Sequence, residues 1–165
     1  MRYLFIFFIY LFSVQIIAQE QQLGYQYLRN GEYEKAASIY KTLLEKHPYN
    51  STYTSYLIDC YQQIEHYDEV FKIIENQLTN YPSKEYLYVD YGYTFQLQHQ
   101  IEKATFYYKK ALAIIESSKN STLGYLVGKA FQDNHLLDYA LNAYQKAMKI
   151  NPKANYNIQI AFIYG

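Results

Sequence analysis

Apolar and polar residues alternate along Gly31–Pro48 with the period of an amphipathic helix. Ala36, Tyr40 and Leu43 follow one another at intervals of four and three residues, which places them on one helical face. Glu34 lies in the predicted first turn, where the helix dipole favours an acidic side chain. Pro48 ends the pattern. The stretch therefore predicts one helix, and its apolar face must be buried against other elements.

The same pattern returns three times. Glu65, His99 and His135 align with Gly31, at successive spacings of 34, 34 and 36 residues. Each copy carries an acidic residue, then a small residue, then a bulky one at fixed offsets from this point. These are Glu34, Asp68, Glu102 and Asp138; Ala36, Val70, Ala104 and Ala140; and Tyr40, Ile74, Tyr108 and Tyr144. The three prolines, Pro48, Pro82 and Pro152, also share one phase, where they stop a helix.

A second predicted helix precedes each copy. Its bulky positions lie four residues apart on one face. They are Leu23 and Tyr27, Leu57 and Tyr61, Tyr91 and Phe95, and Val127 and Phe131. Gly24, Gly92 and Gly128 stand beside them, with Ile58 in the second copy. Because glycine costs about 1 kcal/mol relative to alanine inside a helix, three glycines at one phase indicate close helix approach. Each repeat is a helix-turn-helix that needs neighbours to bury its apolar face.

This pattern resembles the tetratricopeptide repeat (TPR), through its 34-residue period and its order of large, Leu-Gly, aromatic, Ala, aromatic and Pro positions. The resemblance implies an all-α fold, an α-solenoid of antiparallel helix pairs in a right-handed superhelix. The predicted repeats span about residues 19–50, 51–84, 85–120 and 121–154, with the first helix of a fifth at 155–165. Two departures are notable. Ile58, Val70 and Gln77 replace small residues in the second repeat, and Glu116 replaces proline before two extra residues within 117–120.

By the same resemblance, the first helices line a concave protein-binding groove. The residues placed there are Tyr25, Leu28, Asp59, Gln62, Tyr86, Tyr93, Gln96, Tyr125, Lys129 and Gln132; Gln21, Thr52, Ser55, Val89 and Thr122 lie on the same stripe. Only Lys129 matches the basic clamp that TPRs use for a chaperone's C-terminal carboxylate, so such a clamp is not expected. A neutral groove of Tyr and Gln suits an extended peptide or a helix. The alternative is that these tyrosines are ordinary solvated surface.

Charge and cysteine content narrow the partners. Fifteen basic and fifteen acidic residues balance, which argues against a nucleic-acid surface. The 23 tyrosines supply rigid area with a polar tip, suited to packing and to recognition. Cys60 is the only cysteine, so no internal disulfide is possible, and its apolar neighbours favour a buried, unreactive thiol.

Residues 1–18 have the pattern of a secretory signal peptide. Arg2 precedes a continuous apolar run from Tyr3 to Phe12, and small and polar residues lead to Ala18, after which we place cleavage. The alternative is an uncleaved anchor, although a spanning helix needs about 20 apolar residues. After cleavage no stable membrane span is expected. The composition resembles that of exported proteins of Gram-negative bacteria, which predicts the periplasm or cell envelope.

No catalytic, cofactor or metal site is predicted. His66, His99 and His135 all fall at the predicted turn between the two helices of a repeat, where histidine tolerates a positive φ. Successive turns lie too far apart for one zinc ion. Asn50-Ser51-Thr52 and Asn120-Ser121-Thr122 match the glycosylation sequon, but each precedes a first helix, where we interpret Asn as a cap.

Two functions are consistent with these features, and a third is less favoured. The first is an exported scaffold that holds a protein or peptide. The second is an N-terminal docking or sensory segment of a longer envelope protein whose enzymatic or signalling part lies elsewhere. The third is a glycan or small-molecule binder that uses the tyrosines. Ile158, Ile160, Phe162 and Ile163 cannot all face inward, so we also expect continuation of the chain or docking at this end, including self-association.

Overall fold

The computed structural model of the chain describes residues 18–164, and these residues are helical without any strand. Residues 18–29 are helical and are called α1. The helices that follow are α2 (Tyr33–Lys46), α3 (Ser51–Gln63), α4 (Tyr67–Asn80), α5 (Tyr88–Leu97), α6 (Ile101–Ser118), α7 (Ser121–Asp133), α8 (Leu137–Ile150) and α9 (Asn157–Tyr164), with a 3₁₀ helix at Pro82–Leu87 before α5. The predicted all-α solenoid class is confirmed. The predicted signal peptide, apart from Ala18, lies outside the described residues.

The chain divides into two compact units, with the boundary inside α4 between Glu69 and Val70. In the N-terminal unit α2 packs on α3. The Tyr25 ring of α1 lies 6.0 Å from the Tyr56 ring of α3. The core of this unit consists of fully or nearly fully buried side chains from α2 and α3. They are Ala36, Ala37, Tyr40, Leu43, Tyr53, Leu57, Ile58 and Cys60.

The C-terminal unit is formed by the pairs α5–α6 and α7–α8, with α9 against α8. Its main core cluster contains the predicted small and bulky positions of the last two full repeats. The members are Val89, Ala104, Tyr108, Ala111, Ile115, Leu123, Val127, Phe131, Ala140, Ala143 and Tyr144. Ile160 and Ile163 of α9 pack against this cluster, whereas Ile158 and Phe162 are exposed. The four apolar residues therefore do not all face inward, as predicted.

Asparagine caps and prolines set the helix ends that the sequence predicts. The Asn50 side chain accepts a hydrogen bond from the Tyr53 amide at 3.1 Å at the start of α3. Asn120 accepts from the amides of Thr122 and Leu123 at the start of α7, at 3.0 and 3.1 Å. The capping interpretation is confirmed for both asparagines. Pro48, Pro82 and Pro152 each lie two positions after the last residue of α2, α4 and α8.

The repeat that lacks the proline has a longer second helix. α6 has 18 residues, whereas α2, α4 and α8 each have 14. It ends at Lys119, which adopts a left-handed conformation with φ 51°. The extra residues within 117–120 therefore extend the helix and its turn.

The first helix of the third repeat differs from the prediction. Lys84 occupies the phase of Asn50 and Asn120, and an ammonium group cannot accept a hydrogen bond from an amide. The buried Lys84 amine instead donates to Gln77 Oε1 at 2.6 Å, and burial lowers its pKa. The segment forms a 3₁₀ helix, and α5 begins only at Tyr88. Without a capping acceptor, the α-helical first turn of the other repeats is not stabilised here.

The turn inside each repeat contains one residue with positive φ. The residues are Gly31, Glu65, His99 and His135, with φ of 75°, 59°, 61° and 58°. The prediction is confirmed for His99 and His135 and is wrong for His66, because Glu65 takes the left-handed position in the second repeat. The repeat phase predicts this position better than residue type does, since the backbone geometry recurs at one offset.

Replacing His99 or His135 by glycine is expected to stabilise the protein by about 0.5 kcal/mol each. A left-handed non-glycine residue costs roughly 1–2 kcal/mol, and the greater freedom of glycine in the unfolded chain offsets part of the gain. Urea unfolding followed by circular dichroism measures the change. Gly31→Ala is the converse control and should destabilise by about 1 kcal/mol. Stabilities that move in the opposite directions would contradict the turn assignment.

Two glycines allow the closest helix contacts. A Cβ on Gly92 would lie 2.6 Å from Cε1 of Tyr108, and a Cβ on Gly128 would lie 2.5 Å from Cε1 of Tyr144. The sequence inference of close helix approach is confirmed at these two positions. The tyrosine rings of α6 and α8 lie directly over the backbone of α5 and α7.

Two further features bear on function. Within residues 18–164, no helix combines the length and apolar character that crossing a bilayer requires. Cys60 is fully buried, and burial raises the pKa of its thiol to about 12. The thiol is therefore a packed apolar group, as predicted, and not a reactive nucleophile.

Candidate functional site

Four of the predicted groove residues lie in the N-terminal unit, on α1 and α3. Tyr25 is 40% exposed and Leu28 is half-buried, both on α1. Asp59 is half-buried on α3, and desolvation raises the pKa of its carboxyl. Gln62 is buried. The accessible part of this surface is therefore provided by Tyr25, with a polar group at Asp59.

The other six predicted residues lie in the C-terminal unit. Tyr93 and Gln96 belong to α5, and Tyr125, Lys129 and Gln132 belong to α7, which contacts α5. Tyr86 lies in the 3₁₀ helix and not in the predicted α-helix. All six are half-buried except Lys129, which is exposed. These six residues are called the α5–α7 surface.

One residue predicted on this stripe points elsewhere. Val89 is fully buried and belongs to the core cluster that includes Val127 and Phe131. The late start of α5 at Tyr88 leaves Val89 in its first turn. The stripe therefore contains one core position, which sequence spacing alone assigned to the groove.

Two glutamines on the α5–α7 surface are held by buried tyrosines. The Tyr108 hydroxyl donates to Gln96 Oε1 at 3.0 Å, and the Tyr144 hydroxyl donates to Gln132 Oε1 at 2.8 Å. Each pair is separated by 12 residues and joins the two helices of one repeat. Burial raises the pKa of both phenols, so the hydroxyls stay protonated and remain donors. The core thus fixes the orientation of two amide groups.

The same spacing in the first two repeats lacks this hydrogen bond. In the first repeat Leu28 stands 12 residues before Tyr40, and in the second Gln62 stands 12 residues before Ile74. The fully buried Tyr40 hydroxyl has no hydrogen-bond partner among residues 18–164. The Gln–Tyr pair is therefore a property of the last two full repeats.

The remaining side chains of the α5–α7 surface are also positioned by neighbours. The Tyr125 ring stacks on the Tyr156 ring at 5.4 Å and lies 6.1 Å from Tyr144. The Lys129 ammonium pairs with Asp133 at 2.5 Å on the same helix. This pairing leaves little net charge on the surface, in agreement with its neutral composition.

The chemistry that this arrangement offers is binding. Phenol rings, amides and one ion pair can pack on and hydrogen-bond a ligand. In the part of the chain that the structure describes, no group of three or more His, Cys, Asp and Glu side chains is placed to hold a metal ion. His47 caps the end of α2, where its amide donates to the Leu43 carbonyl at 2.9 Å.

Sequence reasoning missed an aromatic cluster between α4, α5 and α6. Phe71, Tyr91, Phe95 and Tyr107 form it, with neighbouring ring centroids 4.4–5.6 Å apart. The Tyr91 hydroxyl donates to Glu75 at 2.7 Å. The signal was present in the aromatic pairs of the first helices, because Tyr91 and Phe95 stand at the two predicted bulky positions. The cluster stabilises the contact between successive repeats in the C-terminal unit.

The family follows from the positions that these elements bury. The small and bulky residues at the TPR phases are buried in all four repeats, on helices that alternate with short turns at the expected period. The chain is built of tetratricopeptide repeats. Its TPR elements thus comprise α1 to α8, and α9 begins a further repeat.

Comparisons with known proteins agree with the TPR fold. No protein-family model matches the chain. A MamA fragment from Desulfovibrio magneticus RS-1 superposes with a TM-score of 0.50 and 16% identity, over 89% of this chain and 82% of that chain. A thermophilic TPR protein of Thermus thermophilus superposes over 90% of this chain and 97% of that chain, with 15% identity and a TM-score of 0.36.

One curated relative is much longer than this chain. Anaphase-promoting complex subunit 6 of Arabidopsis thaliana is 26% identical over 121 residues, which are 73% of this chain. The chain spans only 22% of the length of that relative. The similarity therefore extends to the repeats and not to the whole of that subunit.

Proposed function

We propose that this TPR protein is a non-enzymatic, exported scaffold that holds a peptide or protein segment against its first helices. The first helices carry the accessible tyrosines and the oriented glutamines, whereas the second helices supply the small residues and tyrosines of the core. The TPR fold itself implies a protein partner, and the α5–α7 surface is where we place it.

The observation that carries this proposal is the pair of Tyr-to-Gln hydrogen bonds. A side chain that is fixed before binding loses less conformational entropy when the ligand arrives. Gln96 and Gln132 are held in this way by the buried hydroxyls of Tyr108 and Tyr144. Tyr93 and Tyr125 beside them offer rigid rings, a residue type enriched among interface hot spots.

Replacing Tyr25 and Tyr93 together by serine is expected to reduce capture of the native partner at least tenfold. Two lost aromatic contacts of about 1–2 kcal/mol each account for this loss. The readout is quantitative mass spectrometry after affinity capture from the native envelope. Tyr125 is kept, because its ring packs on Tyr156 and its removal would also affect folding.

The matched control replaces two exposed aromatic residues that lie off the first helices. Tyr49 is 75% exposed and Phe106 is 61% exposed, and Tyr49→Ser with Phe106→Ser should leave capture unchanged. Both variants should keep the helical circular dichroism of the wild type. Partner capture that survives in the Tyr25 and Tyr93 variant, or is lost only in the control, would refute the assignment.

Export to the periplasm or cell envelope is part of the proposal and rests on the sequence of residues 1–18. Fusing residues 1–30 to alkaline phosphatase lacking its own leader gives a direct test, because that enzyme is active only after export. We expect activity, and loss of activity when Phe7 and Phe8 are both replaced by aspartate. Equal activity of the two fusions would contradict export by this segment.

A second candidate function is a docking segment of a longer envelope protein. It is favoured by the similarity to about a fifth of a larger complex subunit, which carries such repeats within a longer chain. Sequencing the transcript beyond the codon for Gly165 distinguishes the candidates. An open frame with a further domain supports docking, and a stop codon supports the independent scaffold.

A further inference from the structure

The polar groups that the α5–α7 surface leaves available are mainly hydrogen-bond donors. Gln96 and Gln132 each use the side-chain oxygen to accept from a buried tyrosine. Neither amide nitrogen donates to another residue of the described range 18–164. Each glutamine therefore presents an unused N–H₂ group whose direction is set by the core.

The charged groups on this surface do not change that balance. The Asp133 carboxylate at the end of α7 is engaged by Lys129 at 2.5 Å. The ammonium keeps further N–H groups, because it has three donors and one is used in this pair. A ligand that brings its own N–H groups meets few free acceptors here, whereas a ligand rich in carbonyl oxygens meets several donors.

Aromatic rings lie beside these donors. Tyr93 is one turn before Gln96 on α5, and Tyr125 is two turns before Gln132 on α7. Both rings are half-buried, so one part of each is packed and another part is accessible. Rigid rings next to amide donors provide a flat apolar contact and an acceptor-specific contact within a short distance along each helix.

We propose that the α5–α7 surface binds a proline-rich segment in the polyproline II conformation. Proline has a carbonyl oxygen but no N–H, so such a segment presents acceptors without donors. Its conformation is extended and largely pre-formed, with an unpaired backbone, and its rings pack on aromatic side chains. The tyrosine rings contact the pyrrolidine rings, and the glutamine amides donate to the carbonyl oxygens.

This inference rests on the proposed function and names the chemistry of the partner. An ordinary extended peptide would bury N–H groups against a surface with few acceptors, and each buried unpaired donor is costly. An acidic or basic segment would find its charged counterpart already engaged in the Lys129–Asp133 pair. The neutral proline-rich segment leaves no group unpaired on either side.

The test is a titration of the full chain with labelled decaproline, followed by fluorescence anisotropy. The comparison peptide is a (Gly-Ser)₅ peptide with the same label and blocked ends, which is neutral, flexible and rich in N–H groups. We expect decaproline to bind at least tenfold more tightly than the comparison peptide. Equal affinities, or no binding of decaproline at millimolar protein, would overturn the inference.

A variant isolates the donors without leaving a buried hydroxyl unpaired. Q96L and Q132L remove the amides, and Y108F and Y144F remove the two hydroxyls that the amides accept from. Because both members of each pair become apolar, the fold is expected to survive. Loss of two hydrogen bonds should weaken decaproline binding about tenfold or more. Q145L on the exposed face of α8 is the control and should leave the affinity unchanged.

The outcome separates this inference from the proposed function. If decaproline fails to bind while native partner capture still depends on Tyr25 and Tyr93, the scaffold stands and the proline-rich partner is refuted. If the quadruple variant binds decaproline as tightly as the wild type, the assignment of Gln96 and Gln132 is refuted. Melting curves of every variant establish that the comparisons are made between folded proteins.

Discussion

Gly128→Ala is expected to destabilise the protein by about 2 kcal/mol. The added Cβ would lie 2.5 Å from Cε1 and 2.7 Å from Cδ1 of Tyr144, far inside van der Waals contact. The ring cannot move away easily, because Tyr144 is fully buried and its hydroxyl is bound to Gln132. Overpacking of this kind costs typically 1–3 kcal/mol or more, which exceeds the gain of about 1 kcal/mol in helix propensity.

Gly24→Ala is the matched control for this prediction. Gly24 stands at the same repeat phase, but a Cβ there would meet Ile39 Cγ2 and Tyr40 Cζ at 3.1 Å, which a small side-chain shift relieves. Its helix propensity gain should therefore make the change neutral or slightly stabilising. Urea unfolding of the two variants under identical conditions gives the difference. If Gly128→Ala were as stable as Gly24→Ala, the close packing of α7 on α8 would be incorrect.

Removing single tyrosine hydroxyls is expected to change stability in opposite directions. Tyr144→Phe and Tyr108→Phe should each cost about 1 kcal/mol, because each deletes a hydrogen bond and leaves a glutamine oxygen without its partner. Tyr40→Phe should stabilise by about 1 kcal/mol, since it removes a buried hydroxyl without a partner among the described residues. The phenylalanine ring keeps the same packing in all three variants.

Leu28→Gln tests the same account from the other side. It places a glutamine 12 residues before Tyr40, as in the two repeats where the hydrogen bond forms. We expect this variant to be at least as stable as the wild type, and to lose stability when Tyr40→Phe is added. Thermal melts of the four proteins of this cycle measure the coupling. A stabilising effect of Tyr40→Phe equal in both backgrounds would mean that no new pair had formed.

Much of the fold follows from the sequence because the repeat supplies four independent copies of one pattern. The phase of Ala36, Tyr40 and Pro48 predicts where the second helices pack and where they end. The caps at Asn50 and Asn120 predict where α3 and α7 begin. These features are local, and each depends on residue types whose physical effect is the same in every repeat.

The departures arise where one repeat lacks a residue that the others have. Lys84 replaces the capping asparagine, and the first helix of the third repeat starts as a 3₁₀ helix. Glu65 shows that backbone phase, and not the presence of His66, decides which residue has positive φ. Periodicity gives the average repeat, and such single substitutions become interpretable only with coordinates.

The candidate site was predictable in its location on the helices and less so in its chemistry. Sequence spacing placed Gln96 and Gln132 on the first helices but gave no sign that buried tyrosines orient them. The 12-residue spacing to Tyr108 and Tyr144 was visible, yet it crosses a turn whose geometry the sequence does not specify. Burial of Gln62 and Val89 likewise depends on contacts between helices that are distant in sequence.

Site-specific photo-crosslinking tests the central claim most directly, that the first helices bind the partner while the second helices support the fold. A benzophenone amino acid replaces Tyr93 on α5 in one protein and Phe106 on α6 in another, and both are irradiated in the native envelope. The account predicts a discrete adduct from position 93 and none from position 106, with decaproline competing for the first. An adduct from position 106 alone would contradict it.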